Sequence, residues 1–504
     1  MVLTSNPVII ENRRDRSAVA SPRLVNLLIG GRDVPASGFA AFERFSPVSG
    51  DLVAVTAAAT LEDSVVAADA AAAAFPGWSQ SSPGHRRKLL ERAADLLLAR
   101  APDFTAAMMA ETGATREWSG FNVELGAKIF QEAAAATTQV GGAIIPTDIP
   151  GKTSFAYRQP AGVCLAIAPW NAPVILGVRS IAIALACGNT VVLKSSELCP
   201  ATHRLIGDVL QEAGFPAGVI NIISNAPADA SAIMEKLISH PVIRRINFTG
   251  STRVGRIIAQ TAAKHLKRCL LELGGKAAFI VLDDADLDEA VKAAAFGAYF
   301  NQGQICMSTE RIIVMDDIAD AFVEKFLAKA RSLRAGDPTR GELPLGSLVT
   351  AESARRVRGL IDDAVAKGAL LLTGGENHDA MMDAAVIDHV TRPMRLYREE
   401  SFGPVAAIIR VGSVDEAVTV ANDCEYGLSG AVFGRDLGRA FEVAKRIESG
   451  ICHVNSATVA DEPQIPFGGV KASGYGKFGG PAALDEFTEL RWITISSGKG
   501  EYPI

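Results

Sequence analysis

The chain has 504 residues, more than a single hydrophobic core usually holds, so its length predicts two or three domains. Apolar residues make up 48% and charged residues 21%, and the net charge of -6 gives no electrostatic support for binding nucleic acid. The seven cysteines form no Cys-x-x-Cys pair, which indicates neither a metal site nor a disulfide framework and favours a reducing cytoplasm.

Neither a signal peptide nor a membrane span is predicted. Residues 1–21 are polar and lack an apolar core of signal-peptide length. The longest apolar stretch, residues 173–193, is interrupted by Arg179, Gly188 and Asn189, a pattern that suits a buried helix and strand.

The first half of the chain predicts helices followed by an α/β layer. Residues 61–136 are Ala-rich with apolar positions at helical spacing, and residues 153–159 look extended. Five short aliphatic strands then alternate with helices, at residues 163–168, 190–194, 218–223, 245–249 and 269–273. This alternation predicts a parallel sheet whose ligands bind beyond the carboxyl ends of its strands.

A second α/β unit is predicted after Lys276. Its elements are a strand at 278–282, a helix at 286–299, a strand at 311–315 and a helix at 318–333. Cys306 follows the first helix of this unit, whereas the sheet of cofactor-binding type precedes the unit. The sequence therefore predicts a site between two domains.

Two segments carry candidate catalytic groups. Cys306 lies in 301–308 (NQGQICMS), and Glu272 begins 272–276 (ELGGK). A thiol nucleophile with a separate carboxylate base suits covalent catalysis, and glycines near both groups let the backbone approach a ligand. The alternatives are a buried structural cysteine and a carboxylate that is hydrogen-bonded to nearby amides.

Two other segments suit a nucleotide. The segment 248–255 (FTGSTRVG) ends a predicted strand and begins an amphipathic helix, so amides around Gly250 and Ser251 suit a pyrophosphate, although Ser251 could merely cap the helix. Lys194 and Glu197 follow another predicted strand, where ribose hydroxyls would lie. The alternative for these two residues is a solvated ion pair.

Asn171 and a glycine-rich segment each have two interpretations. Asn171 lies between Pro169 and Pro173, which fix the backbone, so its amide suits an oxyanion or, alternatively, caps the following helix. The segment 474–479 (GYGKFG) matches Gly-x-Gly-x-x-Gly, but only 25 residues follow it, too few for a βαβ unit. We therefore expect no dinucleotide at that segment.

Seven motifs, taken in order and spacing, resemble the aldehyde dehydrogenase superfamily over about residues 27–496. They are 169–171 (PWN), Lys194 with Glu197, 248–251 (FTGS), 272–276 (ELGGK), 303–306 (GQIC), 400–404 (ESFGP) and 466–469 (PFGG). Within the superfamily, the segments 171–179, 304–311 and 467–476 resemble the salicylaldehyde and vanillin dehydrogenases, which implies an aromatic aldehyde as substrate.

The resemblance implies an α/β fold of aldehyde dehydrogenase type. It has a discontinuous Rossmann-type NAD-binding domain at 22–140 and 160–274, an α/β catalytic domain at 275–472, and a β-strand oligomerisation arm at 141–159 and 485–504. Such arms build a homodimer or homotetramer, with a small aldehyde as the other partner. No nucleic acid or membrane partner is expected.

The same resemblance implies NAD-dependent oxidation of an aromatic aldehyde to its acid. Cys306 attacks the aldehyde, Asn171 and the Cys306 backbone N–H hold the oxyanion, and Glu272 activates water to hydrolyse the thioester, which favours a free acid over transfer to coenzyme A. The expected cofactor-binding residues are Trp170, Lys194, Glu197, Gly250, Ser251, Leu273, Glu400 and Phe402. Glu197 should repel a 2'-phosphate, so NAD is expected over NADP.

The expected substrate pocket combines apolar walls with one cation. Its residues are Ala172, Arg179, Phe300, Ile305, Met307 and Phe467. Arg179 meets a phenolate or ring hydroxyl ortho to the aldehyde, or else belongs to a buried structural ion pair.

Three departures from the family pattern concern the ribose site and the proton relay. Ser195 stands where the family often has a proline, and 224–225 (SN) replaces a glycine pair. Ser180 stands where some relatives have a relay lysine, which leaves Glu489 as a possible relay carboxylate.

Three other functions are kept as alternatives. They are oxidation of aliphatic aldehydes or semialdehydes, a noncatalytic binding protein on the same fold, and a cysteine hydrolase. The set of Cys306, Glu272 and Asn171 argues against the second, and the absence of a Cys/His signature among the seven histidines argues against the third.

Overall fold

The computed structural model describes residues 21–341, 343–498 and 502–504. Two large sheets, each covered by helices, account for most of these residues. The arrangement is the α/β class expected from the sequence, with the candidate site between the two sheets.

The first sheet has eight strands, and its centre is parallel. In spatial order the strands are Gly474–Tyr475, Arg268–Glu272, Ile243–Thr249, Val163–Ile167, Thr190–Lys194, Ile220–Ile223, Leu27–Ile29 and Arg32–Val34. The five central strands pair in parallel, whereas the strands at both edges are antiparallel. The five strands predicted from the sequence are these five, which confirms the prediction within a few residues at their ends.

Helices cover both faces of this sheet because its central strands are apolar on both sides. One face packs against Leu61–Ser79, Ala230–Ser239 and Thr252–Lys264. The other packs against Pro83–Ala99, Ala101–Thr112, Arg116–Ala136, Pro173–Ala186 and Pro200–Ala213. Strand Val163–Ile167 divides its side chains between the two cores, with Cys164 and Ala166 in one and Leu165 in the other, as the two-residue period of a strand requires.

The second sheet has seven strands. In spatial order they are Leu370–Thr373, Ala385–Asp388, Val405–Val411, Thr309–Met315, Ala277–Val281, Ser429–Phe433 and Ile451–Val454, of which the first is antiparallel to its neighbour. One face carries Leu287–Tyr299 and Asp316–Arg331, and the other carries Ala351–Ala366, Arg395–Arg398, Val414–Asn422 and Leu437–Ala444. The two strands and two helices predicted for this unit are confirmed to within a few residues.

The remaining elements are short or peripheral. A three-stranded sheet joins Ala143–Ile145, Lys152–Pro160 and Thr488–Ser496, and another joins Arg23–Val25, Leu52–Ala57 and Ala41–Phe45. Two short pairs join Asn377–His378 with Met381–Met382 and Tyr426–Gly427 with Val470–Lys471. Short helices lie at Ser37–Phe39, Pro227–Asp229, Phe300–Gly303 and Gly480–Glu486.

The Gly-x-Gly-x-x-Gly segment is not a strand-turn-helix phosphate loop. Its first two residues form strand Gly474–Tyr475, which pairs antiparallel with Arg268–Glu272 at the sheet edge. Gly474 has a φ of 107°, and a Cβ at this position would overlap the Leu271 carbonyl, so its glycine serves close strand packing. The expectation of no dinucleotide at this segment is consistent with that role.

Among the described residues, no helix combines the length and the apolar character that crossing a bilayer requires. All seven cysteines are free thiols.

Candidate active site

A cavity of about 270 Å³ lies between the carboxyl ends of the first sheet and loops of the second α/β unit. The predicted residues that line it are Trp170, Asn171, Gly250, Ser251, Glu272, Leu273, Cys306, Glu400 and Phe402. Four further residues line it, namely Pro169, Leu176, Thr249 and Gly274, of which all but Leu176 belong to the seven motifs. Lys194, Glu197 and the predicted substrate-pocket residues lie outside this lining.

The chain before the thiol has an unusual backbone. Asn301, Gln302 and Gly303 are consecutive left-handed residues, with φ of 49°, 56° and 70°. A Cβ at Gly303 would overlap the carbonyl of Gly403, so only glycine fits there. Left-handed non-glycine residues persist only where the surroundings enforce them, and such strain is typical of functional sites.

Side-chain hydrogen bonds hold this nucleophile loop, residues 301–308. Gln302 Nε2 donates to the Ser347 carbonyl at 2.9 Å, and Gln304 Oε1 accepts from the Val349 amide at 3.0 Å. Ser308 Oγ donates to the Gly303 carbonyl at 3.1 Å and accepts from the amide of residue 305 at 3.3 Å. These hydrogen bonds fix the loop that carries the thiol.

Asn171 is tied to the nucleophile loop from both its side chain and its backbone. Its Nδ2 donates to the Gln304 carbonyl at 2.9 Å, and its own carbonyl accepts from Trp118 Nε1 at 2.9 Å and from Asn301 Nδ2 at 3.0 Å. The alternative that Asn171 caps the next helix is wrong, because Ala172 holds the N-cap position without a side-chain bond. Since Nδ2 carries two hydrogens, one remains for an oxyanion.

Glu272 is buried, and neither of its carboxylate oxygens has a hydrogen-bond partner. The alternative of a carboxylate held by nearby amides is therefore wrong. Burial raises the pKa of Glu272 to about 8, partly offset by the positive charge of Arg179. A perturbed carboxyl group without partners beside a thiol is the arrangement expected of a general base.

Gly274 and Gly275 leave space for Glu400 and Cys306, which lie against the turn that follows Glu272. A Cβ at Gly275 would overlap the backbone carbonyl of Cys306, and one at Gly274 would lie 2.7 Å from a Glu400 oxygen. Glycines at these two positions therefore let the base, the nucleophile and Glu400 approach one another.

Cys306 is half-buried, unlike Cys164, Cys187 and Cys199, which are buried structural thiols. Burial raises the pKa of the Cys306 thiol well above its usual range, and the negative charge of Glu272 adds to this effect. The thiol is therefore neutral at rest and needs a base before it can attack.

The opposite wall of the cavity is formed by Glu400 and Phe402. Glu400 Oε1 accepts from the Gly275 amide at 2.8 Å, and no hydrogen bond from the described residues reaches Oε2. Burial, followed by the charge of Glu310, raises the pKa of Glu400 to about 7. The ring of Phe402, whose φ is 45°, stands edge-on to Trp170 with 5.7 Å between centroids.

A buried ion pair that the sequence did not reveal supports this wall. Lys276 Nζ binds Glu310 and donates to Ser401 Oγ at 3.0 Å, and both charged side chains are almost fully buried. The Glu310 carboxylate accepts from the amides of Ser401 at 2.7 and 2.9 Å and of Phe402 at 3.0 Å. The pair thus joins the Glu272 turn to the loop that presents Glu400 and Phe402.

Gly250 and Ser251 line the cavity, and the structure also contains the helix cap and the ion pair that were the alternative interpretations. Ser251 caps helix Thr252–Lys264 by accepting from the amide of residue 254 at 3.4 Å, with Gly250 at the cavity wall. Lys194 Nζ pairs with Glu197 at 3.0 Å, and the lysine side chain is buried whereas Glu197 is 31% exposed. Glu197 therefore keeps solvent-facing surface at the carboxyl end of the sheet.

Two of the departures from the family pattern contact each other. Ser195 Oγ and Ser224 Oγ lie 2.6 Å apart, and both residues are buried. The serine that replaces a family proline thus bonds to the serine that replaces a glycine, which links the ends of strands Thr190–Lys194 and Ile220–Ile223.

Five of the predicted substrate-pocket residues belong to, or pack against, the apolar cluster that Cys306 contacts. Ala172, Ile305, Met307 and Phe467 belong to one buried apolar cluster against which Phe300 and Cys306 pack. The Phe300 ring also contacts Trp118 edge-on at 4.9 Å between centroids. Aromatic and aliphatic groups thus supply the walls there.

Arg179 enters the same region, and it is paired. Its Nη2 lies 2.6 Å from Asp461 Oδ2, and its guanidinium stacks over the Phe467 ring at 4.5 Å. Both charged side chains are more than nine-tenths buried. The buried ion pair, one of the two interpretations of Arg179, is therefore present.

Glu489 is engaged elsewhere. Its carboxylate pairs with Arg245 at 2.6 Å and is 43% exposed, on strand Thr488–Ser496. No hydrogen bond in the described residues joins it to Glu272, so the relay role remains a prediction without a contact to carry it.

Comparison with known proteins agrees with this geometry. A profile of the aldehyde dehydrogenase family matches residues 34–493. Vanillin dehydrogenase from Pseudomonas fluorescens is 59% identical over 480 residues, which cover 95% of this chain and 99% of the relative. The NAD(+) benzaldehyde dehydrogenase from Pseudomonas putida is 37% identical over 459 residues, covering 91% of this chain and 93% of the relative.

A solved structure resembles the whole chain. The crystal structure of a salicylaldehyde dehydrogenase from Pseudomonas putida G7 complexed with salicylaldehyde matches with a TM-score of 0.94 and 49% identity, and covers 96% of this chain and 100% of that one.

Proposed function

The chain belongs to the aldehyde dehydrogenase family, and from this premise we propose that it oxidises an aromatic aldehyde to the carboxylic acid with NAD. The observation that carries the proposal is one cavity that brings Cys306, Asn171 and Glu272 beside nucleotide-type residues, with an aromatic and aliphatic cluster that the thiol packs against. Relatives named for vanillin, salicylaldehyde and benzaldehyde support the aromatic substrate.

The cavity suits NAD in charge and in hydrogen-bonding capacity. The N-terminus of Thr252–Lys264, with Gly250 and Ser251 at the wall, suits a pyrophosphate. Glu400 Oε2, which no described hydrogen bond engages, suits a ribose hydroxyl, and the Trp170 and Phe402 rings with Leu273 supply apolar walls. Lys194 and Glu197 suit the other ribose, where the Glu197 carboxylate favours NAD over NADP. Bound NAD supplies the acceptor for the hydride that leaves the substrate carbon.

The first half of the reaction uses the thiol and the oxyanion donors. Since the Cys306 thiol is neutral at rest, its proton must pass to a base, and Glu272 is the adjacent buried carboxylate. The sulfur then forms a bond to the aldehyde carbon, and the resulting oxyanion accepts from Asn171 Nδ2 and from the Cys306 amide. Loss of hydride from that carbon leaves a thioester on Cys306.

The second half hydrolyses the thioester. Once Glu272 has passed the thiol proton to solvent, its carboxylate takes a proton from water and the hydroxide adds to the thioester carbon. The C–S bond then breaks, the acid leaves, and the sulfur takes back the proton held by Glu272 to regenerate the thiol. Among the described residues neither oxygen of Glu272 has a hydrogen-bond partner, so the carboxylate is free to serve both halves. A base for water supports a free acid as product rather than transfer to coenzyme A.

The assembly and the domain division form part of the same proposal. We infer an NAD-binding domain at 22–140 and 160–274, a catalytic domain at 275–472, and an arm at 141–159 and 485–504. The arm sheet exposes apolar side chains of Ile144, Tyr157, Leu490, Trp492 and Ile495, which supports a homodimer or homotetramer through this face. The unpaired cysteines support a cytoplasmic location.

The test is an assay of NADH formation with a panel of aromatic aldehydes, short aliphatic aldehydes and semialdehydes. We expect the highest kcat/KM for benzaldehydes, a carboxylic acid as product, and lower efficiency with NADP. The Cys306→Ala variant should lose at least about 1000-fold in turnover. A clear preference for aliphatic aldehydes or semialdehydes would replace the substrate class, and ordinary turnover by Cys306→Ala would remove the mechanism.

A further inference from the structure

Asp461 is a buried carboxylate with one oxygen engaged and one free. Oδ2 binds Arg179 at 2.6 Å, whereas Oδ1 is buried and has no hydrogen-bond partner among the described residues. A buried acceptor without a partner is costly, so a donor from a water or a ligand would stabilise it.

Asp461 lies between a second cavity and the apolar cluster that contains Phe467. It lines a second cavity of about 460 Å³, together with apolar residues of helix Arg116–Ala136 such as Phe121 and with exposed polar residues that open this cavity to solvent. On its inner side, Asp461 pairs with Arg179, which stacks on Phe467 in the cluster around the thiol.

Asp461 and Arg179 are close enough to the catalytic groups to act on them. The Asp461 charge raises and the Arg179 charge lowers the pKa values of both Cys306 and Glu272, after the larger effect of burial. The pair therefore lies within electrostatic reach of both catalytic groups.

We propose that Asp461 Oδ1 accepts a hydrogen bond from a hydroxyl at the meta or para position of the aromatic aldehyde, which makes Asp461 a specificity-determining residue. This inference rests on the proposed function. The proposed pose has the aldehyde carbon at Cys306 and the meta or para hydroxyl at Asp461, whose partner Arg179 stacks on Phe467 in the apolar cluster that the thiol packs against. A charged acceptor that is already desolvated strongly favours a substrate that supplies the missing donor.

The ion pair also determines which substituents are disfavoured. Asp461 neutralises Arg179, so this guanidinium is not a free cation for a phenolate or a ring carboxylate. The free carboxylate oxygen repels both of these anions, whereas a neutral hydroxyl satisfies it. The group recognised is thus a hydrogen-bond donor rather than an anion, in contrast to the ortho phenolate that the sequence suggested for Arg179.

The test compares substrates that differ only in the donor. We would measure kcat/KM for 3- and 4-hydroxybenzaldehyde and for 3- and 4-methylbenzaldehyde, below the pH at which the hydroxyl ionises. The ratio compared is kcat/KM for the hydroxybenzaldehyde divided by kcat/KM for the methylbenzaldehyde. This ratio should be about 10- to 100-fold higher in the wild type than in Asp461→Val, at either the meta or the para position. Asp461→Asn, which keeps an acceptor oxygen, should give an intermediate ratio.

Two further variants make the result decisive. Arg179→Met with Asp461→Val removes both charges, so it tests the acceptor even if the single variant leaves Arg179 unpaired and fails to fold. Glu462→Gln, at an exposed neighbouring carboxylate in the same cavity wall, should keep the wild-type ratio. A ratio that stays at the wild-type value in Asp461→Val or in the double variant overturns the inference.

The outcomes separate this inference from the proposed function. Good activity on all four benzaldehydes, with a ratio that Asp461 does not affect, overturns only the role of Asp461. Activity confined to aliphatic aldehydes overturns the aromatic substrate itself.

Discussion

The nucleophile and the base are held in opposite ways. The loop 301–308 that carries Cys306 is fixed by side-chain hydrogen bonds from Gln302, Gln304 and Ser308 and by three left-handed residues. Glu272, by contrast, is buried with both oxygens free of hydrogen bonds, on a turn that contains two glycines. The site therefore combines a positioned nucleophile with a base that is restrained only by packing.

The difference follows from what each group does. A nucleophile gains from a fixed position, because a small displacement from the attack geometry lowers the rate steeply. A base that serves the thiol first and a water later must reach two places, and fixed hydrogen bonds to its oxygens would also lower its pKa. The structure gives Glu272 burial instead, which raises its pKa to about 8.

The largest expected effect comes from removing the base. Glu272→Gln should lower kcat by about 100- to 10 000-fold, since proton transfer to a positioned base contributes that much. In the wild type, kcat/KM should rise with pH through about 8, because Glu272 acts only when ionised and burial raises its pKa to that value. Rate measurements from pH 6 to 10 on the wild type and the variant check both expectations.

Glu400 is the control for this pH dependence. Its pKa is raised to about 7, so it is the other carboxyl group in the cavity that titrates near neutral pH. Glu400→Gln should weaken NAD binding and keep the rise near pH 8. If the rise of kcat/KM with pH persists in Glu272→Gln and disappears in Glu400→Gln, it reports the ionisation of Glu400. Glu272 would then not be the base, and the contrast between nucleophile and base would not hold.

The next effect concerns the fixed loop. Gly303→Ala should destabilise the protein by at least about 2 kcal/mol and lower kcat, because φ is 70° and the new Cβ would overlap the Gly403 carbonyl. Gly359→Ala is the matched control, since Gly359 lies in helix Ala351–Ala366 with open space around it and should be neutral or stabilising. Thermal unfolding and kcat of both variants are the measurements.

Equal behaviour of the two variants would mean that the loop relaxes around a side chain. The nucleophile would then be no more rigidly held than the base.

Motifs made much of this architecture predictable. The five central strands of the first sheet and two strands of the second were predicted from local sequence. Most residues around the cavity were candidates because each follows a strand or begins a helix. The aldehyde dehydrogenase family match agrees with the superfamily resemblance derived from those motifs.

The parts that escaped prediction are pairings between distant segments. Arg179 was suspected of an ion pair, but its partner Asp461 lies 282 residues away in a segment without a motif. Ser195 and Ser224 were noted as separate departures, yet they bond to each other. Local periodicity contains no information on which of many acidic or hydroxyl groups meets a given residue, because tertiary packing decides it.

The smallest predicted effect tests another such pairing, that of Lys276 with Glu310. The Glu310 carboxylate holds the amides of Ser401 and Phe402, and so positions the cofactor wall rather than contacting substrate. In Glu310→Gln the side chain keeps one acceptor oxygen but turns an amide N–H toward those donors, and Lys276 loses its counter-ion. The KM for NAD should rise about tenfold, with smaller changes in kcat and in the KM for aldehyde.

Loss of stability alone would not produce that pattern. Asp388→Asn breaks another ion pair of the same α/β unit, in which the buried Asp388 carboxylate binds the partly buried Arg410 at 2.8 Å. Among the described residues, neither of these two side chains hydrogen-bonds to the loop of Glu400. This variant should lower the unfolding temperature and leave the KM for NAD unchanged. If both variants shift this KM equally, Glu310 serves only the fold. If only Glu310→Gln raises the KM for NAD, the loop of Glu400 and Phe402 is fixed by hydrogen bonds, as the nucleophile loop is. Glu272 is then the weakly restrained member of the site.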